Sequence, residues 1–360
     1  MNRSRYGGLR RTLTATSALT FGAAIALTGC SAEGGSGEDT VGVSLIVKTT
    51  TNPFFVSMQE GAEAAAEEIG VELTFAAGRQ DGDEDTQIQA IENAISRGDK
   101  GILITPNGPG VEDALTRARD AGLYVIALDT PPSDPESVDI TFATDNFLAG
   151  QRIGEWTAAQ LGGERAVIAM IDLFDDKVVS VDVQRDQGFL DGMGIDLADA
   201  EVIGDEAATG QYSGGEYEIV GHEASDGAED GGRTAAENLL SINPDINVVY
   251  TINEPAAYGA YEAFDAASAT EDLIVASVDG GCAGVTAVTD GVISATSQQY
   301  PVRMAELGVE AIHALATTGE APEASEGLDF FNTGVELVTD QPHEGIESIT
   351  STEAGDVCWG

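Results

Sequence analysis

From Val41 onward the chain repeats one unit: a short run of aliphatic residues, then a longer stretch in which acids and alanines surround an apolar stripe. The runs VGVSLIV, VELTFAA, GILITP and LYVIALD read as strands covered on both faces, which predicts a mainly parallel sheet with helices above and below. Helices are predicted over 53–69, 86–97 and 109–121, with Pro53 and Pro109 in first turns and Gly70, Gly98 and Gly122 at the stops. A second series follows DITFATDN: helix 147–161, RAVIAMI, helix 178–193, AEVIG, helix 232–240, INVVYTI, helix 256–267, DLIVASVD, a short helix from Cys282, VISATSQQ and helix 302–316. No long linker separates the series. The expected fold class is therefore α/β, with two Rossmann-like lobes joined by several short crossovers that act as a hinge. The stretch 204–230 lacks clear periodicity and is expected to be irregular.

The N-terminus speaks to compartment. Arg3, Arg5, Arg10 and Arg11 precede an acid-free apolar stretch, 13–27, that is short for a bilayer span and reads as a signal peptide. It ends in Leu27-Thr28-Gly29-Cys30, and a small residue before a cysteine is the pattern of bacterial lipoprotein signals, with Cys30 carrying the lipid. The chain is then expected to hold a signal peptide over 1–29 and a polar tether over 30–40. Loss of the four arginines would take the net charge from -46 to -50. Such a field repels phosphate backbones and excludes nucleic acid as a partner. Of the three cysteines, Cys282 and Cys358 remain as an even pair in an oxidising compartment, where a disulfide is expected. His222, His313 and His343 share no spacing with one another or with cysteine, so no metal site and no cofactor are expected.

The chemistry gathers at strand ends. KTTTNPFF puts Lys48, Asn52, Phe54 and Phe55 at the first strand-to-helix turn. Asp129 closes VIALD, Asp145 closes TFATD, Asn253 closes VVYTIN, Asp279 closes IVASVD and Gln299 closes ATSQQ. Any one could cap a helix. Together, on the edge where open α/β sheets bind ligands, they describe a polar cleft. Sugars present apolar C–H faces ringed by hydroxyls, which an aromatic face with amides and carboxylates beside it can match.

TNPFF, ALDT, FATDN, QRDQGF, TINEPAA, SVDGGCAG and the terminal CWG resemble the sugar-binding lipoproteins of bacterial ABC importers, of the ribose-binding type I fold and closest to its fructose-type branch. The resemblance spans 41–360. It implies a periplasmic binding protein type I with an N-terminal lobe over 41–144 plus 300–328 and a C-terminal lobe over 145–299 plus 329–360. It further implies a ring clamp of Phe54 and Phe55, contacts from Asn52, Asp129 and Thr144 in one lobe and Arg185, Asn253 and Asp279 in the other, Gln299 at a hinge crossing and Lys48 facing the ligand. The partners implied are a monosaccharide, permease subunits and the membrane, reached through the lipid by a monomer on the outer face of the cell. Ribose binders carry Arg where Thr130 follows Asp129, and an aromatic near Gly227 that this chain lacks. Those departures point to a ligand larger than a pentose, with fructose the first candidate.

Two motifs offer competing readings. DGDEDTQIQAIE, 81–92, matches a calcium loop except at the sixth position, where Thr86 replaces the turn glycine, so helix capping by Asp85 or Thr86 is expected instead. Asn253-Glu254-Pro255 resembles the acid/base motif of retaining glycosidases, with Asp279 as the conceivable second carboxylate, but too little chain follows for an eight-fold barrel. The acidity itself fits high or variable salt, where self-repulsion is screened. Urea unfolding in molar salt should therefore show a higher midpoint than in dilute buffer; equal midpoints would contradict that expectation.

Overall fold

The computed structural model describes residues 40–360; the expected signal peptide, Cys30 and the tether up to residue 39 lie outside the described residues. The chain starts with β1 (Gly42–Val47), α1 (Pro53–Ile69), β2 (Glu72–Ala77), α2 (Glu84–Arg97), β3 (Gly101–Ile104), α3 (Glu112–Asp120), β4 (Tyr124–Leu128) and β5 (Ile140–Ala143). It crosses to α4 (Asn146–Gln160), β6 (Ala166–Asp172), α5 (Ser180–Met193), β7 (Thr209–Gln211), β8 (Glu216–Ala224), α6 (Glu229–Ile242), β9 (Val248–Thr251) and α7 (Glu254–Ala266). Then come β10 (Ile274–Asp279), α8 (Cys282–Thr289), β11 (Ala295–Gln298), α9 (Pro301–Thr318), β12 (Phe331–Asn332), β13 (Glu336–Val338) and α10 (Ser351–Ala354).

Two sheets result, in the orders β12-β5-β4-β3-β1-β2 and β13-β11-β10-β9-β6-β8-β7. Their five-strand cores, β2-β1-β3-β4-β5 and β8-β6-β9-β10-β11, repeat one doubly wound topology with parallel pairing throughout. In each, the strand order reverses beside the first strand, where this topology leaves a crevice at the carboxyl ends. Strand interiors such as Val43, Leu45, Ile102, Leu103, Ile168 and Val249 are fully buried because helices cover both faces. On the first sheet α1 and α9 cover one face, while α2 and α3 contribute to a second core. On the second sheet α4 and α5 form one layer, α6 and α7 the other. The α4–α5 contact is unusually close: a Cβ on Gly150 would stand 2.1 Å from the Arg185 carbonyl oxygen, and one on Gly188 would stand 2.2 Å from that of Phe147. That approach fixes where α5 presents Arg185.

Several expectations need correction. AEVIG is a turn, and the second strand of the second lobe is β8, inside the stretch expected to be irregular. Its EYEIVGHEA carries acids and a histidine at half-buried positions, so its hydrophobic alternation is faint. The third crossing falls after Asn332 rather than at 328/329, because Phe331 and Asn332 pair with Phe142 and Ala143 in the first sheet. Helix α2 is capped by Asp83, which accepts from the Thr86 backbone N–H and hydroxyl, rather than by Asp85 or Thr86. Among the described residues no helix is long and apolar enough to cross a membrane.

Cys282 and Cys358 are joined as a disulfide with their Cα atoms 4.9 Å apart, across a sequence separation of 76. The bridge is reinforced by Cys282 N–H donating to the Trp359 carbonyl and by Trp359 Nε1 donating to the Gln299 carbonyl at 2.7 Å. It ties the C-terminus to the crossing between the lobes. Replacing both cysteines by serine should lower unfolding stability by about 4 kcal/mol in the loop-entropy model, measured by urea titration; an unchanged midpoint would show that the contacts of Trp359 suffice.

Candidate functional site: a polar cleft between the lobes

Each lobe contributes the carboxyl ends of its strands to one cavity, lined by Lys48, Asn52, Phe54, Phe55, Asp81 and Asp129 from the first and Leu173, Val181, Arg185, Ile252, Asn253 and Asp279 from the second, with Gln299 at a crossing. The cavity admits the centre of a water-sized sphere over about 30 Å³, room for roughly two waters. A larger ligand enters only if the lobes part. A cavity of about 550 Å³ beside Lys100, Arg119 and Tyr124 is bigger, but it lies at the amino-terminal ends of β3 and β4, away from these groups.

Charge organises the cleft. Asp129 Oδ2 stands 4.0 Å from Lys48 Nζ, and its Oδ1 stands 3.7 Å from Arg185 Nη2. One cation comes from each lobe. All three side chains are about 5% exposed, so these charges act with little screening. Asp129 holds a left-handed backbone, φ 65°, which Asp tolerates better than most residues. Arg185 is fixed independently: Nε donates to Asn146 Oδ1 at 2.8 Å and Nη1 to the Ile252 carbonyl at 3.0 Å. Burial pushes the pKa of Lys48 down, against the pull of Asp129 and Asp81. Asp81 is raised, chiefly by burial, with Lys48 opposing.

Asp279 closes the far side. Its carboxylate accepts from Gln299 Nε2 at 3.1 Å and from the Glu254 N–H at 3.4 Å. Burial pushes its pKa up to about 7, with Arg185 opposing and Asp129 adding to the rise. Gln299 Oε1 is buried and has no partner within the protein, which leaves an acceptor at the cavity wall. The aromatic side is a stack of edges: Phe54 meets Phe55 and Trp359, each with ring centroids 5.3 Å apart. Trp359 therefore braces Phe54 from behind, a role that only its position in the fold reveals.

Of the residues expected at the site, Lys48, Asn52, Phe54, Phe55, Asp129, Arg185, Asn253, Asp279 and Gln299 are brought together. Thr144 and Asp145 are not among the lining. Thr144 Oγ1 donates to the Gly334 carbonyl at the neighbouring crossing, and Asp145 caps α4 by accepting from Leu148 N–H. They are hinge residues because the chain leaves the first sheet at Ala143. Asp81 also lines the cavity, although its sequence context offered it only as the first position of the calcium-loop match. Thr130 turns its hydroxyl onto Asp129 Oδ2 at 2.7 Å. Gly227 opens no extra room, since a Cβ there would stand 2.9 Å from Leu173 and 3.1 Å from Asn253 Nδ2.

Asn253 is both liner and cap: Oδ1 accepts from Ala256 N–H at 3.1 Å, and Nδ2 donates to the Gly227 carbonyl at 3.1 Å. Glu254 does not line the cavity. Its carboxylate accepts from the N–H groups of Gly280 and Gly281 and from the Thr296 hydroxyl, and burial first, then Asp279, pushes its pKa up to about 8. A group so enclosed organises the turn after β10 and cannot reach a glycosidic oxygen in the cleft.

Two outcomes follow for variants and pH. Asn253→Asp preserves the cap acceptor but removes the Nδ2 donor, so helix stability should be kept within about 1 kcal/mol while ligand affinity drops; equal ligand affinity would remove Asn253 from the site. Asp279 and Glu254 titrate above their unfolded values, so the stabilisation they contribute is fully present below about pH 4 and is lost as pH rises through about 7 to 8. Melting temperature should fall across that window, and Asp279→Asn should flatten the slope; an identical slope in the variant would contradict the assignment.

Comparison with known proteins agrees with this geometry. The family model described as a periplasmic binding protein domain matches residues 43–321. The ribose import binding protein RbsB of Escherichia coli is 27% identical over 292 residues, covering 81% of this chain and 89% of that protein. The D-allose-binding periplasmic protein of Escherichia coli is 24% identical over 303 residues, covering 82% of this chain and 91% of that one. The solved structure of an ABC transporter solute binding protein from Agrobacterium vitis with bound D-fucose superimposes with a TM-score of 0.72 at 25% identity, covering 88% of this chain and 100% of the other. With its two doubly wound lobes and a matched span of 43–321, the chain belongs to the periplasmic binding protein family and has its type I fold.

Proposed function

We propose that this protein is the extracytoplasmic receptor of an ABC importer, capturing a neutral monosaccharide between its lobes and presenting the closed form to the permease. The observation that carries this reading is the cleft itself: a Phe54–Phe55 wall facing Asp129, Arg185, Asn253, Asp279 and Gln299 drawn from both lobes. Three carboxylates, Asp81, Asp129 and Asp279, stand against two cations, Lys48 and Arg185, which disfavours phosphorylated or acidic sugars. Hydroxyl groups can accept from Lys48 and Arg185 and donate to the carboxylates, while pyranose or furanose C–H faces meet the phenyl rings. Binding energy goes into closure: sugar contacts both lobes only in the closed state and so shifts the population toward it.

No step of catalysis is part of this reading. Relatives are solute-binding proteins, and Glu254 is bound up in the turn of β10. A hexose of the fructose type remains the preferred ligand, on the motifs TNPFF, QRDQGF and TINEPAA. Cys30 would anchor the receptor to the outer face of the cell membrane as a monomer.

Calorimetry and thermal shift with a panel of pentoses, aldohexoses and ketohexoses test the proposal. A cognate sugar at about 100 times its Kd should stabilise the protein by about 2.7 kcal/mol; no response to any hexose or pentose would defeat the sugar assignment. Asp129→Ala should abolish that response.

A further inference from the structure

A second group of titratable residues, drawn from β6, α5, β8 and the segment before β7, does not line the cleft. Asp172 ends β6, Asp186 lies on α5, His222 on β8, and Glu206 precedes β7. His222 Nδ1 is 2.9 Å from Asp172 Oδ2 and 3.7 Å from Asp186 Oδ2, and Nε2 is 2.9 Å from Glu206 Oε1. One ligating atom from each of Asp172, Asp186 and His222 falls within 4.8 Å of the others. Asp172 is 4% exposed and Asp186 0%. Asp172 Oδ1 and Asp186 Oδ2 nevertheless have no hydrogen-bond partner in the protein. Two carboxylate oxygens without a partner, this deeply buried beside an imidazole nitrogen, leave acceptor positions that a cation can fill.

We propose that Asp172, Asp186 and His222 bind one divalent first-row transition-metal ion, with Glu206 orienting the imidazole from behind. A metal-bound histidine characteristically donates its other ring N–H to a carboxylate, and Glu206 is positioned for that through Nε2. The mixed imidazole and carboxylate donor set suits manganese or zinc better than a hard oxygen-only ion. Charge points the same way: Asp172, Asp186 and Glu206 surround a single imidazole. Asp182 is not a ligand, since its oxygens accept from the N–H groups of Leu173 and Phe174. A cavity of about 470 Å³ lined by Phe174, Lys177, Asp182 and His222 reaches the group from the surface and gives an ion its way in. Sequence spacing conceals the site, because its ligands come from three elements between residues 172 and 222.

The test needs no sugar. Protein stripped with a chelator is titrated with Mn²⁺ while the imidazole signals of its three histidines are followed by proton NMR. Substoichiometric Mn²⁺ should broaden His222 alone, leaving His313 and His343 sharp, and one equivalent of Zn²⁺ should suppress the effect. Asp186→Asn should weaken Mn²⁺ binding at least tenfold. Unchanged His222 signals at a full equivalent of Mn²⁺, or equal broadening of all three histidines, would overturn the proposal. The wild-type reading decides even if the variant fails to fold.

Discussion

The carboxylate of Asp129 between Lys48 and Arg185 is the contact on which the architecture turns. It joins the lobes by charge, at 4.0 Å to one cation and 3.7 Å to the other. Buried ions are poor stabilisers in themselves, because desolvation offsets much of the attraction, yet removing one partner leaves the others uncompensated at about 3–5 kcal/mol. The fold supports the arrangement from several sides. Thr130 donates to the carboxylate, Asn146 and the Ile252 carbonyl hold the guanidinium, and the glycine-mediated approach of α4 and α5 fixes the helix that carries it. At those distances the ions are paired but not hydrogen-bonded to one another, so a sugar hydroxyl placed among them can bond to the carboxylate and the cations without stranding a buried charge.

The second support is the crossing region. Gln299 donates to Asp279, its carbonyl accepts from Trp359, and Trp359 packs edge-on against Phe54. The disulfide Cys282–Cys358 holds that tryptophan at the junction. Thus the last residues of the chain brace an aromatic wall set by the first strand-to-helix turn. Thr144 and Gly334 join the neighbouring crossings through the hydrogen bond from Thr144 Oγ1 to the Gly334 carbonyl, and Asp145 caps α4 where the chain enters the second lobe.

Much of this was legible in the residues, for a physical reason. Strands buried on both faces have no polar alternation, so each polar residue that ends one is conspicuous, and Lys48, Asp129, Asn253 and Asp279 were found that way. Reading failed where polar residues are themselves buried. β8 looked irregular because His222 and Glu223, on its opposite faces, are both half-buried, and Asp172, Asp186 and His222 meet only through tertiary structure. It failed again where one residue does two things. Asn253 caps α7 and also lines the cleft, and Glu254, which resembled a catalytic acid, is the buried acceptor for a glycine turn. Asp145 satisfied the strand-end rule but lies just past a crossing, where the cap is its whole role.

Closure of polar groups from both lobes on one sugar would change the shape of the molecule. Small-angle X-ray scattering of the protein with and without its cognate sugar tests it most directly. Sugar addition should reduce the radius of gyration, and Asp129→Ala should lose the effect. A sugar that binds with calorimetric heat yet leaves the scattering profile unchanged would contradict it.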